Sequence, residues 1–275
     1  MKKDIFKNMS KTTKSNTITY SLVVVVYLVV QLLVTTGSIS NLMKGLLVPL
    51  CVYVIAAVSL NLVVGISGEL SLGHAGFMCV GAYSSAFFSV LVGDSMPELL
   101  RFIFAILIGA CIAALFGIII GIPVLKLRGD YLAIVTLAFG EIIKNLMNVV
   151  YVGRDSKGLH FSVTDTAALN LEADGEVLVK GALGITGTPK NSTFTIGVIL
   201  ILVALFIVLN LINSRSGRAI MAIRDNRIAA ESVGINITKY KLMAFSISAA
   251  LAGVAGVLYA HNLSTLTVKK FDYNT

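Results

Sequence analysis

The chain has 275 residues, of which 56% are hydrophobic and 13% are charged. A soluble domain carries about a quarter charged residues, so the composition excludes a soluble enzyme or binding domain. The net charge of +8 is no sign of nucleic-acid binding, because Lys and Arg of a membrane protein collect in its cytoplasmic loops.

Apolar segments long enough to cross a bilayer dominate the chain, since about 20 helical residues span the hydrocarbon core. Their apolar residues do not alternate with polar ones, which excludes a β-barrel. We therefore predict an all-α fold, a polytopic transmembrane helix bundle of about seven spans. The predicted spans are residues 18–36, 45–64, 71–92, 100–122, 131–151, 194–213 and 242–260.

The distribution of basic residues predicts the orientation of the chain. Five lysines precede the first span, at positions 2, 3, 7, 11 and 14, so we expect segment 1–17 in the cytoplasm. The spans form one transmembrane domain, residues 18–260. Counting from the N-terminus, loop 152–193 is then extracytoplasmic, loop 214–241 is cytoplasmic and the tail 261–275 is extracytoplasmic.

Small residues recur at four-residue steps in two spans. One ladder runs through Gly109, Ala113, Gly117 and Gly121, and the last span repeats the spacing at Ala249/Gly253 and Ala252/Gly256. Small residues at this interval let helix backbones approach closely, so we expect tight helix–helix packing there.

The third span, "GISGELSLGHAGFMCVGAYSSA" (65–86), is rich in Gly and Ser and also contains Glu69. Its candidate functional residues are Ser71, His74 and Tyr83. Such a segment is tolerated at membrane depth where it is buried in protein or lines a wet cavity. Two interpretations stay open: a broken or re-entrant helix beside a translocation path, or a tightly packed helix with a hydrogen-bonded histidine.

The fifth span carries a charged pair within the predicted membrane depth. Glu141 lies ten residues beyond Tyr131, about 15 Å along a helix. Lys144 and Asn145 follow at three and four residues, so all three share one face. We expect Glu141 to face protein or water with Lys144 as its partner. The pair either fixes helix contacts or lines a path.

The loop between the last two spans contains "RDNRIAAESVG" (224–234). Asp225 suits the N-cap of a short helix, and Gly234 suits the left-handed position after its end, with Ile235 making the contact that follows. Either Asn236 or Thr238 can cap the next span. A helix this short is not stable alone, so we expect lipid headgroups or a soluble partner to pack on it.

The stretch "IAAESVG" (228–234) resembles the E-A-A-x-x-x-G loop of ABC importer permeases, with Ile228 in place of the glutamate. Three longer blocks, 60–83, 127–145 and 214–260, are similar to LivM-type branched-chain amino acid ABC transporter permeases. The resemblance implies that a coupling loop docks into the ATPase subunit. Its residues in this chain are Arg224, Asp225, Asn226, Ile228, Ala229, Ala230 and Gly234.

The resemblance also implies an assembly and a location. The expected partners are a second, LivH-type permease subunit, two ABC ATPase subunits and an extracytoplasmic substrate-binding protein. The expected location is the plasma (inner) membrane of a bacterium or archaeon. The chain contains no G-x-x-x-x-G-K-[ST] phosphate loop, so we expect no cofactor in it, with ATP and Mg held by the ATPases. Relatives continue through further spans, so we expect this chain to be truncated.

Three alternatives remain beside an importer of branched-chain amino acids. Related permeases carry urea, short amides, sugars or nucleosides. An ion-coupled secondary transporter would use Glu141 and Lys144 as its proton or ion site, and inverted repeats would favour it. A membrane enzyme is a third alternative, although His74 alone does not form a catalytic group with a nucleophile and an oxyanion site.

Overall fold

The computed structural model of the chain describes residues 11–127, 129–172 and 175–271. The lysines at positions 2, 3 and 7 and the end of the tail, 272–275, lie outside the described residues. The orientation inferred from those lysines therefore stays a prediction.

Within the described residues, seven helices are long and apolar enough to cross a membrane, which confirms the predicted bundle of seven spans. They are α1 (Lys11–Thr35), α2 (Asn41–Asn61), α3 (His74–Val92), α4 (Glu98–Val124), α5 (Asp130–Val149), α6 (Phe194–Asn213) and α9 (Ile237–Ala260). Two short helices, α7 (Arg215–Asp225) and α8 (Arg227–Ser232), connect α6 to α9.

The third span begins later than the sequence predicted. Helix α2 continues through one π-helical turn, Leu62–Ile66, and residues 67–73 are not helical. Helix α3 then starts at His74 instead of residue 71. Residues 62–73 are called the break between α2 and α3 below.

Helix α9 lies at the centre of the bundle, packed on α3 and α4 through the predicted small residues. A Cβ atom added at Gly253 would lie 2.5 Å from the Cβ of Ala113, and one added at Gly256 would lie 2.0 Å from the backbone oxygen of Met78. Since no real side chain fits at such distances, glycine is required for these helices to approach as they do. The predicted ladders therefore mark helix contacts.

The predicted loop 152–193 contains most of a small antiparallel sheet that the sequence analysis did not predict. Its strands are β1 (Tyr151–Asp155), β2 (Gly158–Ser162), β3 (Glu176–Lys180), β4 (Ile185–Thr186) and β5 (Thr265–Leu266), in the order β2-β1-β3-β4-β5. One face of the sheet packs on the C-terminal half of α3. This end of the bundle is called the sheet end, and the opposite end, with α7 and α8, the short-helix end.

Candidate functional site

The break between α2 and α3 reaches the middle of the bundle. Ser248 is the twelfth of the 24 residues of α9, so it lies about 16 Å from either end of that helix. The Nε2 atom of His74, the first residue of α3, lies 2.8 Å from the Oγ of Ser248. Helix α3 therefore begins near the centre of the membrane, where irregular backbone is found only if protein or water surrounds it.

A buried chain of hydroxyl groups holds His74. The Ser59 hydroxyl donates to the backbone oxygen of Ser248 at 2.7 Å, and the Ser248 hydroxyl donates to that of Ser59 at 2.6 Å. Because the Ser248 proton is used in this way, the Ser248 hydroxyl accepts a hydrogen bond from Nε2 of His74, while the Ser71 hydroxyl lies 3.4 Å from Nδ1. His74 thus has a hydrogen-bond partner at each ring nitrogen.

Helix α5 closes the other side of the break. The backbone N–H of Leu72 donates to the Thr136 hydroxyl at 3.1 Å. A Cβ atom at Gly73 would lie 2.4 Å from the backbone oxygen of Thr136, and one at Gly76 would lie 2.9 Å from the Cα of Gly140. These contacts fix the start of α3 against α5, and both positions require glycine.

Two cations from the short-helix end hold the other half of the break. Lys241, on the first turns of α9, forms an ion pair with Glu69, and both side chains are 12% exposed. Arg224, at the end of α7, donates to the backbone oxygen of Gly65 at 2.9 Å. Its side chain also covers Gly68, where a Cβ atom would lie 2.6 Å from the Arg224 Cγ.

Helix α8 corrects the predicted N-cap of the coupling loop. Asp225 is the last residue of α7 and pairs with Arg224, so it is not the N-cap. Asn226 has that role, because its side chain accepts the backbone N–H of Ala229 at 3.0 Å. Asn236, and not Thr238, caps α9 by accepting the N–H of Lys239 at 3.0 Å.

The predicted end of the short helix is confirmed. Gly234 has a positive φ of +83°, its N–H donates to the oxygen of Glu231, and the N–H of Ile235 donates to the oxygen of Ala230. This pair of bonds is the Schellman motif. Ile235 packs with Ala230 against Ile223. The motif fixes the angle between α8 and α9.

Helix α8 has one face on the bundle and one face free. Ala230 is buried beneath the helix at 4% exposure. Ile228 and Val233 are 81% and 75% exposed, and Ala229 is also exposed. The outward face, with Ile228 and Val233, is the part of this segment that a partner can reach, while Ala230 holds the helix on its own chain.

The charged pair of α5 forms as predicted. The Nζ of Lys144 lies 2.5 Å from Oε1 of Glu141, and the side chains are 9% and 48% exposed. Asn145 is exposed beside Glu141. Glu141 and Asn145 lie on a stripe of α5 that no other part of the described chain covers. A half-exposed carboxylate within a span does not face lipid, so this stripe faces another protein or water.

Tyr83 lies apart from these groups. Its ring is buried between α3 and the sheet, and its hydroxyl donates to the backbone oxygen of Leu266 at 3.4 Å. Nearer the break, a cavity of about 150 Å³ reaches Ala75 from the sheet end, with Tyr53, Tyr259 and Lys270 among its lining residues. The structure therefore joins Ser71 and His74 in one cluster and separates Tyr83 from it.

Several residues of the site are not predicted from the sequence. Ser59, Thr136 and Ser248 are not among the predicted site residues, although each is a hydroxyl residue within an apolar span. Lys241 was not recognised as the partner of Glu69. The signal available was the unusual presence of polar side chains at membrane depth, which indicates internal partners.

Comparison with known proteins gives consistent matches. The family model described as "Branched-chain amino acid transport system / permease component" matches residues 42–274. The chain is 34% identical over 161 residues to the high-affinity branched-chain amino acid transport system permease protein LivM of Salmonella typhimurium, and 34% identical over 166 residues to LivM of Escherichia coli. Each match covers 55% of this chain and 38% of the relative. No solved structure matches the chain significantly.

Proposed function

This chain belongs to the family of permease components of branched-chain amino acid transport systems, and from that premise we propose that it is a membrane subunit of an ABC importer. It moves branched-chain amino acids across the plasma membrane, driven by ATP hydrolysis in partner subunits. The observation that carries this proposal is the contact of Arg224, at the end of α7, with the break between α2 and α3. It connects a partner-accessible segment to a polar site at the centre of the bundle.

The outward face of α8 is the proposed docking surface for an ABC ATPase subunit. Ile228 and Val233 supply exposed apolar contacts on a rigid, capped helix. The Schellman bonds after Ser232 and the buried Ala230 hold α8 against α9, so a push on α8 moves the start of α9. ATP and Mg²⁺ belong to the ATPase subunits, and this chain supplies the mechanical contact.

Two side-chain contacts connect this surface to the break at the membrane centre. Arg224 holds Gly65 at the π-helical turn, and Lys241 of α9 holds Glu69. The break then continues to His74, whose Nε2 reaches Ser248. Displacement of the short helices therefore pulls on the irregular segment through both Arg224 and the start of α9.

The uncovered stripe of α5 is proposed to face the second permease subunit and the path between the two subunits. Glu141 and Asn145 are then exposed to a polar surface, as their charge and amide require. In this assembly the short-helix end is cytoplasmic. The sheet end is extracytoplasmic and faces the substrate-binding protein.

The test is uptake by the assembled transporter in proteoliposomes. Labelled leucine should enter when ATP is inside and should still enter when the proton gradient is collapsed. Uptake that depends on the gradient and not on ATP contradicts the importer and favours the secondary transporter. Uptake of urea, a sugar or a nucleoside in preference to leucine contradicts only the proposed cargo.

A matched pair of variants tests the docking surface. Ile228→Asp places a charge on the exposed face of α8 without touching the core, and should abolish co-purification of the ATPase subunits. Thr238→Asp adds the same charge at an exposed position in the first turn of α9, where a carboxylate is tolerated, and should leave co-purification intact. Normal ATPase binding by Ile228→Asp would contradict the docking proposal.

A further inference from the structure

The edge strand β2 carries apolar side chains that the residues described by the structure do not cover. Leu159 and Phe161 are 42% and 69% exposed, and Val163, the residue after the end of β2, is 70% exposed. Strand residues two apart lie on the same face, so Leu159 and Phe161 point to one side. Leu159, Phe161 and Val163 are called the apolar ledge.

The ledge continues the buried face of the sheet. Phe161 lies opposite Val152, Val152 opposite Val179, Val179 opposite Ile185, and Ile185 opposite Leu266. Directly opposed residues share a face, so these five side chains form one row across all five strands. The four inner members are at most 5% exposed and pack on α3. The row thus extends beyond α3, and Phe161 at its end is 69% exposed.

The depth of the sheet places this overhang at the membrane surface. Thr136 contacts the break near the membrane centre, and α5 runs 13 residues from there to its end at Val149. That distance is about 20 Å along the helix. The hydrocarbon core ends about 15 Å from the centre and the headgroups about 20–22 Å from it. Strand β1, which follows α5 directly, therefore lies at headgroup level.

The ledge faces the hydrocarbon side of this level. Phe161 lines an apolar cavity of about 190 Å³ together with Phe116 of α4 and Met147 of α5. Both helices continue from this cavity into exposed apolar residues, including Leu115 at 54% and Leu146 at 47%. The opposite face of β2 is polar, with His160 bonded to Asp155 at 3.1 Å. The strand is thus amphipathic across the membrane boundary.

We propose that the apolar ledge inserts into the leaflet at the sheet end and anchors the sheet to lipid. An apolar face at the boundary of headgroups and acyl chains, with a polar face away from them, is the arrangement of interfacial membrane anchors. The continuity of the ledge with exposed apolar residues of α4 and α5 favours lipid over a soluble partner. The proposal is independent of the transported cargo.

The absence of tryptophan from the chain makes the test direct. Phe161→Trp introduces a single tryptophan into the full-length chain, and its emission is excited selectively over that of the tyrosines. The chain is reconstituted in vesicles containing lipids brominated either near the headgroup end or near the terminus of the acyl chains. We expect blue-shifted emission that is quenched more strongly by the shallow bromines. Val163→Trp repeats the measurement with a second variant.

Two control variants give the emission and quenching expected for a tryptophan in water and for one among acyl chains. Ser162→Trp places the fluorophore on the opposite face of the same strand and should emit like an indole in water, without quenching. Ile119→Trp, 57% exposed within α4, reports full exposure to acyl chains. The proposal is overturned if Phe161→Trp and Val163→Trp behave like Ser162→Trp. It is also overturned if the second permease subunit or the binding protein removes their quenching, because a protein then covers the ledge.

Discussion

Gly68→Ala tests whether Arg224 connects the short helices to the break. Gly68 has a φ of +72°, and Gly37, in the turn between α1 and α2, has a φ of +74°. Alanine at either position has the same left-handed strain, about 1 kcal/mol. No described atom lies within 4 Å of a Cβ at Gly37, whereas a Cβ at Gly68 lies 2.6 Å from the Arg224 Cγ. Gly37→Ala is therefore the matched control.

The difference between the two variants measures the Arg224 contact. The flexible Arg224 side chain moves away from the new methyl group and loses its hydrogen bond to the backbone oxygen of Gly65. A hydrogen bond from a charged donor contributes about 1.5–3 kcal/mol when buried. Arg224 is 41% exposed, so solvent screening reduces this to about 1 kcal/mol. Gly68→Ala should thus be about 1 kcal/mol less stable than Gly37→Ala.

The assay combines thermal unfolding of the chain with the ratio of leucine uptake to ATP hydrolysis in the assembled transporter. Gly68→Ala and Arg224→Ala should each lower the uptake ratio, and the double variant should be no worse than either one. The double variant should lose about 1 kcal/mol less stability than the sum of the two single variants. Independent sites would add to within ~0.5 kcal/mol. Additive effects, or equal effects of Gly68→Ala and Gly37→Ala, would refute the proposed contact.

Three further predictions concern the fold around the site. Glu141→Gln should lower the free energy of unfolding by about 2 kcal/mol, which is less than the loss for a fully buried pair because Glu141 is 48% exposed. The double variant with Glu141→Gln and Lys144→Gln should recover much of this stability in thermal unfolding. Gly256→Ala should lower the free energy of unfolding by about 2 kcal/mol or more, because its Cβ would lie 2.0 Å from the Met78 oxygen. Gly45→Ala, within α2 and with no described atom within 4 Å, should raise it by about 0.5–1 kcal/mol, the usual gain of alanine over glycine in a helix. Burial lowers the pKa of His261, just beyond α9, from 6.5 to about 4. The hydrogen bond to the Val257 oxygen raises this pKa and the charge of Arg101 lowers it further, but burial is the larger effect. The unfolded chain binds that proton first as the pH falls, so stability should drop by about 3 kcal/mol between pH 6.5 and pH 4, and His261→Gln should remove this dependence.

The sequence predicts the spans because each is set by a local property, an apolar run of sufficient length. The cap at Gly234 is predictable for the same reason, since a positive φ after a helix favours glycine. The predicted N-cap at Asp225 is wrong because α7 extends through that residue. Its buried residues Gly217, Ile220 and Ile223 recur at helical spacing, so that helix was detectable from the sequence.

The buried network and the sheet depend on contacts between distant parts of the chain. Ser59 and Ser248 are 189 residues apart, and a lone serine within a span also fits a bond to its own helix. The sheet pairs β4 with β5, two strands of two residues each, across the whole of α6 to α9. Two residues are too few to show an alternation of apolar and polar side chains, so the pairing of these strands follows only from their packing on α3.

The break between α2 and α3 has a feature that a continuous helix lacks. Its backbone groups need partners, because hydrocarbon supplies none. Glu69 donates its N–H to the oxygen of Val63, Leu72 donates its N–H to Thr136, and the oxygen of Gly65 accepts from Arg224. The first two partners are fixed inside the bundle, whereas Arg224 belongs to the segment proposed to dock the ATPase subunit. We expect movement of that segment to remove the Arg224 hydrogen bond from the break while the bonds to Val63 and Thr136 persist, and so to raise the free energy of the break.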